Sequence, residues 1–394
     1  MKNIIILNDF SWINGGSDKV SFDYYNELKE DDSFNVFFLS YYGNSNKNIN
    51  EITPDFSINA SKKINLLQHV FNVTPVFEII KLKKKFHFSN TIFIVHTFTK
   101  GFSPSIFYFI KQYKTILIAH DYGIICPNIS YFDFKKQQKC TLKPFSIKCM
   151  KESCCSSNSY LEKIGRICRG IIQKFVFYFH KKLIIVPVSN YSKQILNKFI
   201  KISDQPIYSV FNDIFQSSKA TVPSTNNQII YVGRIDYDKG ILNLLKNVIP
   251  FFPDQKFVFI GDGNKKLIEE FSKFNNVTYM GFQHKKVIYE QIKLSKLLLF
   301  PTLWHETFSL VVYEAAKFGV PSVISINSAP TDIFKDKVSS FHYDFSSQLN
   351  IKYLRKIFYD KKLLDEVGSK AKLMLKNKNF NKKYNLNILF NYIK

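Results

Sequence analysis

Ten short runs rich in β-branched and aromatic residues recur along the chain, each followed by a longer stretch of helical character. That alternation is the pattern of parallel α/β units, in which a helix carries the chain back between strands, and it argues against a sandwich or a helical bundle. In the first half the runs are Asn3–Leu7, Asn35–Leu39, Thr91–Val95, Thr115–Ala119 and Leu183–Val188. In the second half they are Gln228–Val232, Lys256–Ile260, Asn276–Met280, Leu297–Phe300 and Pro321–Ser325. Polar residues and prolines break the rhythm near Lys201–Pro206 and Ser217–Asn227, so the connection between two open sheets is expected there. With 394 residues the chain exceeds one ordinary core, and the expected domains are residues 1–205 and 206–376. From residue 377 onward Phe380, Tyr384, Leu386, Ile388, Leu389 and Tyr392 form a loosely helical apolar stripe, which predicts a terminal helix packing back on the first domain.

Apolar residues at 45% and charged residues at 22% supply enough hydrophobic surface for packed cores. The longest apolar stretches, such as 183–188, are strand-sized and short of the ~20 residues of a membrane-spanning helix. Residues 1–7 run at once into Asn8-Asp9, too short an apolar region for a signal peptide, so a cytoplasmic location is expected. The formal charge of +24 has two readings. One is solvated lysine surface following from a composition rich in Lys, Asn, Ile and Phe; the other is attraction to an anionic membrane surface, favoured here over nucleic acid.

Two segments carry the chemistry. In Ile229-Ile230-Tyr231-Val232-Gly233-Arg234 a strand ends in Gly-Arg, and Lys239-Gly240 then opens a helix-like stretch. A helix N-terminus, a forked guanidinium and an ammonium point charge together suit a diphosphate. In the second segment the buried run Leu297–Phe300 leads into Trp304-His305-Glu306-Thr307-Phe308-Ser309 and a helix through Leu310–Phe318. Glu306 falls on the loop at the strand's carboxyl end, where open α/β sheets bind ligands, and Glu314 on the helix that follows. Carboxylates accept paired hydrogen bonds from vicinal hydroxyls, which suits Glu314 to a ribose diol and Glu306 to a sugar.

Gly233-Arg234-x4-Lys239 upstream of Glu306-x7-Glu314 resembles the donor-site signature of retaining glycosyltransferases of family 4. The resemblance covers nearly the whole chain and implies the GT-B fold: two Rossmann-like domains with parallel sheets facing a central cleft. It implies a nucleotide diphosphate sugar as donor, UDP- or GDP-linked, whose diphosphate is held by Arg234 and Lys239. Glu306 would contact the transferred sugar, Glu314 the ribose, and the region of Phe282 the base. Thr307, Phe308 and Ser309 would lie along the donor, although Ser309 stands where the family commonly has glycine. Asn14-Gly15-Gly16-Ser17, after the first strand, resembles the family's glycine-rich loop, in which backbone N–H groups of Gly15 and Gly16 approach phosphate. His120, ending the strand Thr115–Ala119, is the expected sugar-contacting histidine, and His96, ending Thr91–Val95, a second cleft-edge candidate. Domain closure is expected to bring His120 to the donor sugar and to exclude water.

No Asp-x-Asp cluster lies after a strand in a metal-binding arrangement, so catalysis without a divalent ion is expected. Cys126, Cys140, Cys149, Cys154, Cys155 and Cys168 crowd one part of the first domain, without the paired Cys-x2-Cys spacing of ordinary zinc sites, and free thiols are favoured over structural zinc at 140, 149, 154 and 155. The stretch from His120 through Cys126 and Asn128 to Cys140-Thr141-Leu142-Lys143-Pro144 resembles enzymes that build capsule, O-antigen or other surface polysaccharides. A lipid-linked or oligosaccharide acceptor at the inner face of the plasma membrane follows from that likeness. Two rival readings stay open: a catalytically silent sugar-nucleotide-binding subunit, and a basic nucleic-acid-binding protein, which leaves the two glutamates without a role.

Overall fold

The computed structural model describes residues 1–13, 15–42, 52–59, 70–152, 160–208, 225–347, 349–375 and 382–393. The chain divides into two compact units. One comprises Met1–Tyr131, Thr141–Phe211 and Asn385–Lys394, the other Phe132–Cys140 and Asn212–Tyr384.

The first unit is built on strands β1 (Lys2–Phe10), β2 (Phe34–Tyr42), β3 (Phe56–Asn59), β4 (Thr91–Val95) and β5 (Lys114–Ala119). After β6 (Phe132–Asp133) and β7 (Gln138–Lys139), an antiparallel pair of the second unit, the sheet is completed by β8 (Leu183–Pro187). Its order is β3-β2-β1-β4-β5-β8, and all pairings are parallel. A parallel sheet covered by helices needs strands apolar on both faces. Ile4, Ile5, Ile6 and Leu7 of β1 and Ile92 through Val95 of β4 are accordingly all buried.

The second unit repeats the plan with β9 (Gln228–Val232), β10 (Lys256–Ile260), β11 (Val277–Tyr279), β12 (Ser295–Phe300), β13 (Ser322–Ser325) and β14 (Phe341–Tyr343). Their order, β11-β10-β9-β12-β13-β14, is again wholly parallel. In both sheets the direction of winding reverses beside the first strand, between β1 and β4 and between β9 and β12. At such a switch point the loops leaving the two strands diverge and open a crevice at the carboxyl ends.

Phe132 of the inserted hairpin is buried in the core of the second unit with Ile229, Leu299 and Phe341. The helix Lys382–Ile393 ends on the first unit: Leu389 is fully buried, the Phe390 ring lies 5.6 Å from that of Phe34, and Lys2 Nζ donates to the Ile393 carbonyl at 3.2 Å. Among the described residues no helix is long and apolar enough to cross a membrane.

Candidate functional site

At the switch point of the second sheet, β9 runs out through Gly233 into Arg234. The Arg234 guanidinium forks onto two carboxylates, 2.7 Å from Asp238 Oδ2 and 3.2 Å from Asp236 Oδ2. Burial works against its charge, but Asp238 and Asp236 outweigh that and raise its pKa. Asp238 is itself fully buried, and burial raises its pKa against the downward pull of Arg234 and Lys239. Its backbone carbonyl accepts the N–H groups of Leu303 at 2.9 Å and Trp304 at 3.3 Å. Asp238 therefore ties the arginine loop to the loop that carries Glu306.

The next residue, Lys239, reaches across the same junction. Its Nζ lies 2.5 Å from Glu306 Oε2 and 4.7 Å from the centre of the Trp304 ring, and Trp304 Nε1 donates to the same carboxylate oxygen at 3.0 Å. Glu306 is buried and held by its backbone, donating to the Asn327 carbonyl at 3.1 Å and accepting from Ala329 at 3.0 Å. Two glycines make the approach possible. Gly240 has φ +75°, and a Cβ there would stand 2.1 Å from the Pro301 carbonyl oxygen; a Cβ on Gly261, φ +142°, would meet the Gly233 carbonyl oxygen at 1.9 Å. Only a residue without a side chain lets these backbones pass so closely.

Arg234, Lys239 and Glu306 are thus joined through Asp238 and Trp304. Glu314 sits half-buried on the helix Leu310–Lys317, where the Tyr289 hydroxyl donates to it at 3.4 Å. Ser309 occupies the N-cap of that helix without capping it through its side chain; Thr307 is buried, and the Phe308 ring stacks on Tyr313 at 4.8 Å. Phe282 is 52% exposed just beyond β11, its ring 6.4 Å from His284.

Sequence reasoning passed over three residues here. Asp238 lies inside the Gly-Arg-x4-Lys motif, and an acid four residues after Arg234 could have been read as its partner. Lys139, on β7, donates to Asn327 Oδ1, whose backbone carbonyl in turn holds Glu306. No local signal joins Lys139 to Asn327, because 188 positions separate them.

In the first unit the switch point lies beside β1 and β4. Asn8 Nδ2 donates to Asp18 Oδ1 at 2.9 Å, and the Asp9 carboxylate accepts the backbone N–H groups of Lys100, Gly101 and Phe102. His96 and His120, leaving β4 and β5, face each other with Nδ1 of His96 2.9 Å from Nε2 of His120 and their rings stacked at 5.2 Å. Burial holds both imidazoles neutral: His120 is lowered to about 4, and His96 falls well below its ordinary value, with the neighbouring His120 charge adding to the effect. They line a small pocket with Thr97, Asp121 and Ile124. Gly15 is the N-cap of the helix Gly16–Lys29 in extended conformation, and a Cβ there would meet nothing closer than 4.0 Å, so backbone crowding does not require glycine. Gly16 is exposed at the first helical position; Asn14 lies outside the described residues.

Cys126, Cys140 and Cys149 are buried and Cys168 is exposed; Cys154 and Cys155 lie outside the described residues. Among the described residues no group of three or more His, Cys, Asp or Glu side chains is arranged to hold a metal ion.

Residues 212–374 match the family described as glycosyl transferases group 1. A protein of the cps region of Klebsiella pneumoniae is 27% identical over 60% of this chain and 58% of its own length. The 2-deoxystreptamine N-acetyl-D-glucosaminyltransferase of Niallia circulans is 31% identical over 27% of this chain and 29% of its own length. The chain therefore spans well under two-thirds of either relative. Among solved structures, HepE from Anabaena in complex with UDP and glucose superposes with a TM-score of 0.69 at 14% identity, covering 100% of both chains. Sucrose-phosphate synthase from Thermosynechococcus elongatus does so with 0.72 at 12% identity, covering 100% of this chain and 98% of that one. Two parallel six-stranded sheets in this order are the GT-B architecture.

Proposed function

Starting from a GT-B chain whose residues 212–374 match the group 1 glycosyl transferases, we propose that the protein moves a hexose or N-acetylhexosamine from a UDP- or GDP-sugar to a lipid-linked or oligosaccharide acceptor, with retention of anomeric configuration. The observation that carries this reading is the convergence of Arg234, Lys239 and Glu306 on one pair of loops at the switch point of the second sheet. A role in surface polysaccharide assembly, capsule or O-antigen, draws support from the cps-region relative.

In this reading Arg234 and Lys239 take the donor diphosphate and stabilise the charge that develops on it as leaving group, the kind of electrostatic contribution that often dominates such barriers. They supply the positive charge at the leaving group, and no divalent ion is required. Lys239 exchanges its Glu306 partner for phosphate oxygens, which frees the carboxylate for the sugar hydroxyls. Glu314 takes the ribose diol, the segment at Phe282 the base, and the backbone along Thr307, Phe308 and Ser309 the rest of the donor. Gly15 and Gly16 present N–H groups to phosphate. Neutral His120 contacts the transferred sugar and His96 fixes its ring. Attack comes from the same face as departure, assisted by the leaving phosphate oxygen. The protein works in the cytoplasm, attached peripherally to an anionic membrane surface.

A panel of UDP-, GDP- and ADP-sugars tests the site. One nucleotide series should raise the melting temperature, since a ligand that prefers the folded state stabilises it by mass action. Glu306→Ala should abolish transfer from that donor, with the product anomer read by NMR. No shift with any sugar nucleotide would remove the basis of the reading.

A further inference from the structure

Two helices of the first unit turn aromatic residues outward. In Thr74–Lys85 the residues Val76, Ile79 and Leu82 are buried, yet Phe77 on the opposite side is 66% exposed, flanked by exposed Val73 and Ile80. In Tyr160–Phe179 the exposed apolar stripe is longer. Lys163, Arg169 and Gln173 point inward, Arg169 to the Pro127 carbonyl and Gln173 to the Gly123 and Ile124 carbonyls, while Tyr160, Ile164, Ile171, Phe175 and Tyr178 form an exposed stripe that ends with Tyr178 at 70%. These steps of four, seven, four and three residues keep the stripe on one helical face. The buried side of this helix is mixed, with Ile167 and Val176 beside those polar residues, and an exposed aromatic stripe of this length marks a face built to be covered.

The two stripes belong to one surface. The helix Ser105–Phe109 packs against both helices and adds exposed Tyr108. Lys111 Nζ sits 4.0 Å over the Tyr108 ring, Lys182 donates to the Gln112 carbonyl at 3.0 Å and covers Phe88 at 5.3 Å, and Lys181 lies 4.5 Å over Tyr178. Tyr178, Phe179 and Phe175 follow in ring contact at 5.3 and 4.7 Å. Leaving out the inward-pointing Lys163 and Arg169, the segments 71–88, 105–114 and 160–182 hold ten lysines and arginines against two glutamates.

We infer that this face, the outward sides of Thr74–Lys85 and Tyr160–Phe179 with Tyr108 between them, docks onto the surface of an anionic lipid bilayer. The inference rests on the reading above, in which the acceptor is carried in a membrane, and adds the surface that meets it. Phe and Tyr settle at the boundary between headgroups and acyl chains, and lysines around them extend to lipid phosphates. A second copy of the chain fits poorly, because a two-fold contact would set one lysine-rich face against another.

Co-sedimentation with vesicles tests it. The protein should bind phosphatidylcholine vesicles containing about one-third phosphatidylglycerol at least about tenfold more tightly than phosphatidylcholine alone, and salt should weaken that binding. Phe77→Ser with Phe175→Ser and Tyr178→Ser should lower it by about tenfold or more, as should Lys84→Glu with Lys181→Glu, which leaves every aromatic residue in place. Wild type that binds neither vesicle, variants that bind like wild type, or a wild-type dimer seen by light scattering that both variants lose would each overturn the inference. Transfer to a soluble acceptor should be unchanged in both variants; its absence in wild type would count against the proposed function and leave the docking face standing.

Discussion

Lys239 and Glu306 form a nearly buried ion pair, with side chains 16% and 8% exposed. Breaking such a pair from one side leaves the other charge without compensation, at a cost of about 3–5 kcal/mol, whereas removing both charges together costs far less. Lys239→Met should therefore destabilise the protein in urea melts, and Lys239→Met with Glu306→Gln should recover most of that loss. Activity should not follow stability. Transfer in the double variant should stay about 10²- to 10³-fold or more below wild type, the usual consequence of deleting a group that meets developing charge. A double variant as active as the native protein would make the pair a structural bridge and nothing more. The residue scale is also where the sequence was least explicit. Arg234, Lys239 and Glu306 stood out by spacing, but Asp238, the group that fastens them to one another, has an ordinary local context. Buried charges are chosen by what lies across the loop, which one strand of sequence does not state.

At the scale of elements the strands were the most legible part. Gln228–Val232 and Lys256–Ile260 occupy the residues that their apolar runs mark, since a strand buried on both faces needs an unbroken run. The edge strands β3 and β14 are short and only partly apolar, and β6 and β7 have two residues each, too few to show a period. That hairpin nonetheless matters. Phe132 is 1% exposed among the side chains of the second unit's core, although sequence order surrounds it with the first unit. Phe132→Ala should cost about 3–5 kcal/mol. Because Lys139 of the same hairpin supports the Glu306 loop through Asn327, the variant should also weaken sugar-nucleotide binding. A melting temperature and a donor affinity both equal to wild type would show the hairpin to be peripheral.

For the whole molecule, charge and burial set how stability responds to acid. His120 and His180 are lowered by burial to about 4, and burial takes His96 well below its ordinary value, so the folded chain keeps neutral rings that the unfolded chain protonates near pH 6.5. The unfolded state then binds more protons across the interval from about pH 6.5 down to about pH 4, and stability falls as pH falls through it. Urea midpoints at pH 7 and pH 5 should differ in that direction, and replacing His96 and His120 together with Gln should flatten the slope. An unchanged slope would mean that other groups dominate the titration.

The path of the backbone has a practical meaning for anyone wishing to divide the protein. Chain passes between the units near residues 131, 140, 211 and 384, and the first unit draws together residues as far apart as Lys2 and Ile393. No single scission yields either half intact. A fragment ending near 211 lacks the helix that fills its flank and strands Phe132 in water, while one beginning near 212 has a hole where that ring belongs. Gene dissection at the apparent midpoint should give two insoluble pieces, and a separately expressed second unit would need the nonapeptide 132–140 restored by a designed splice.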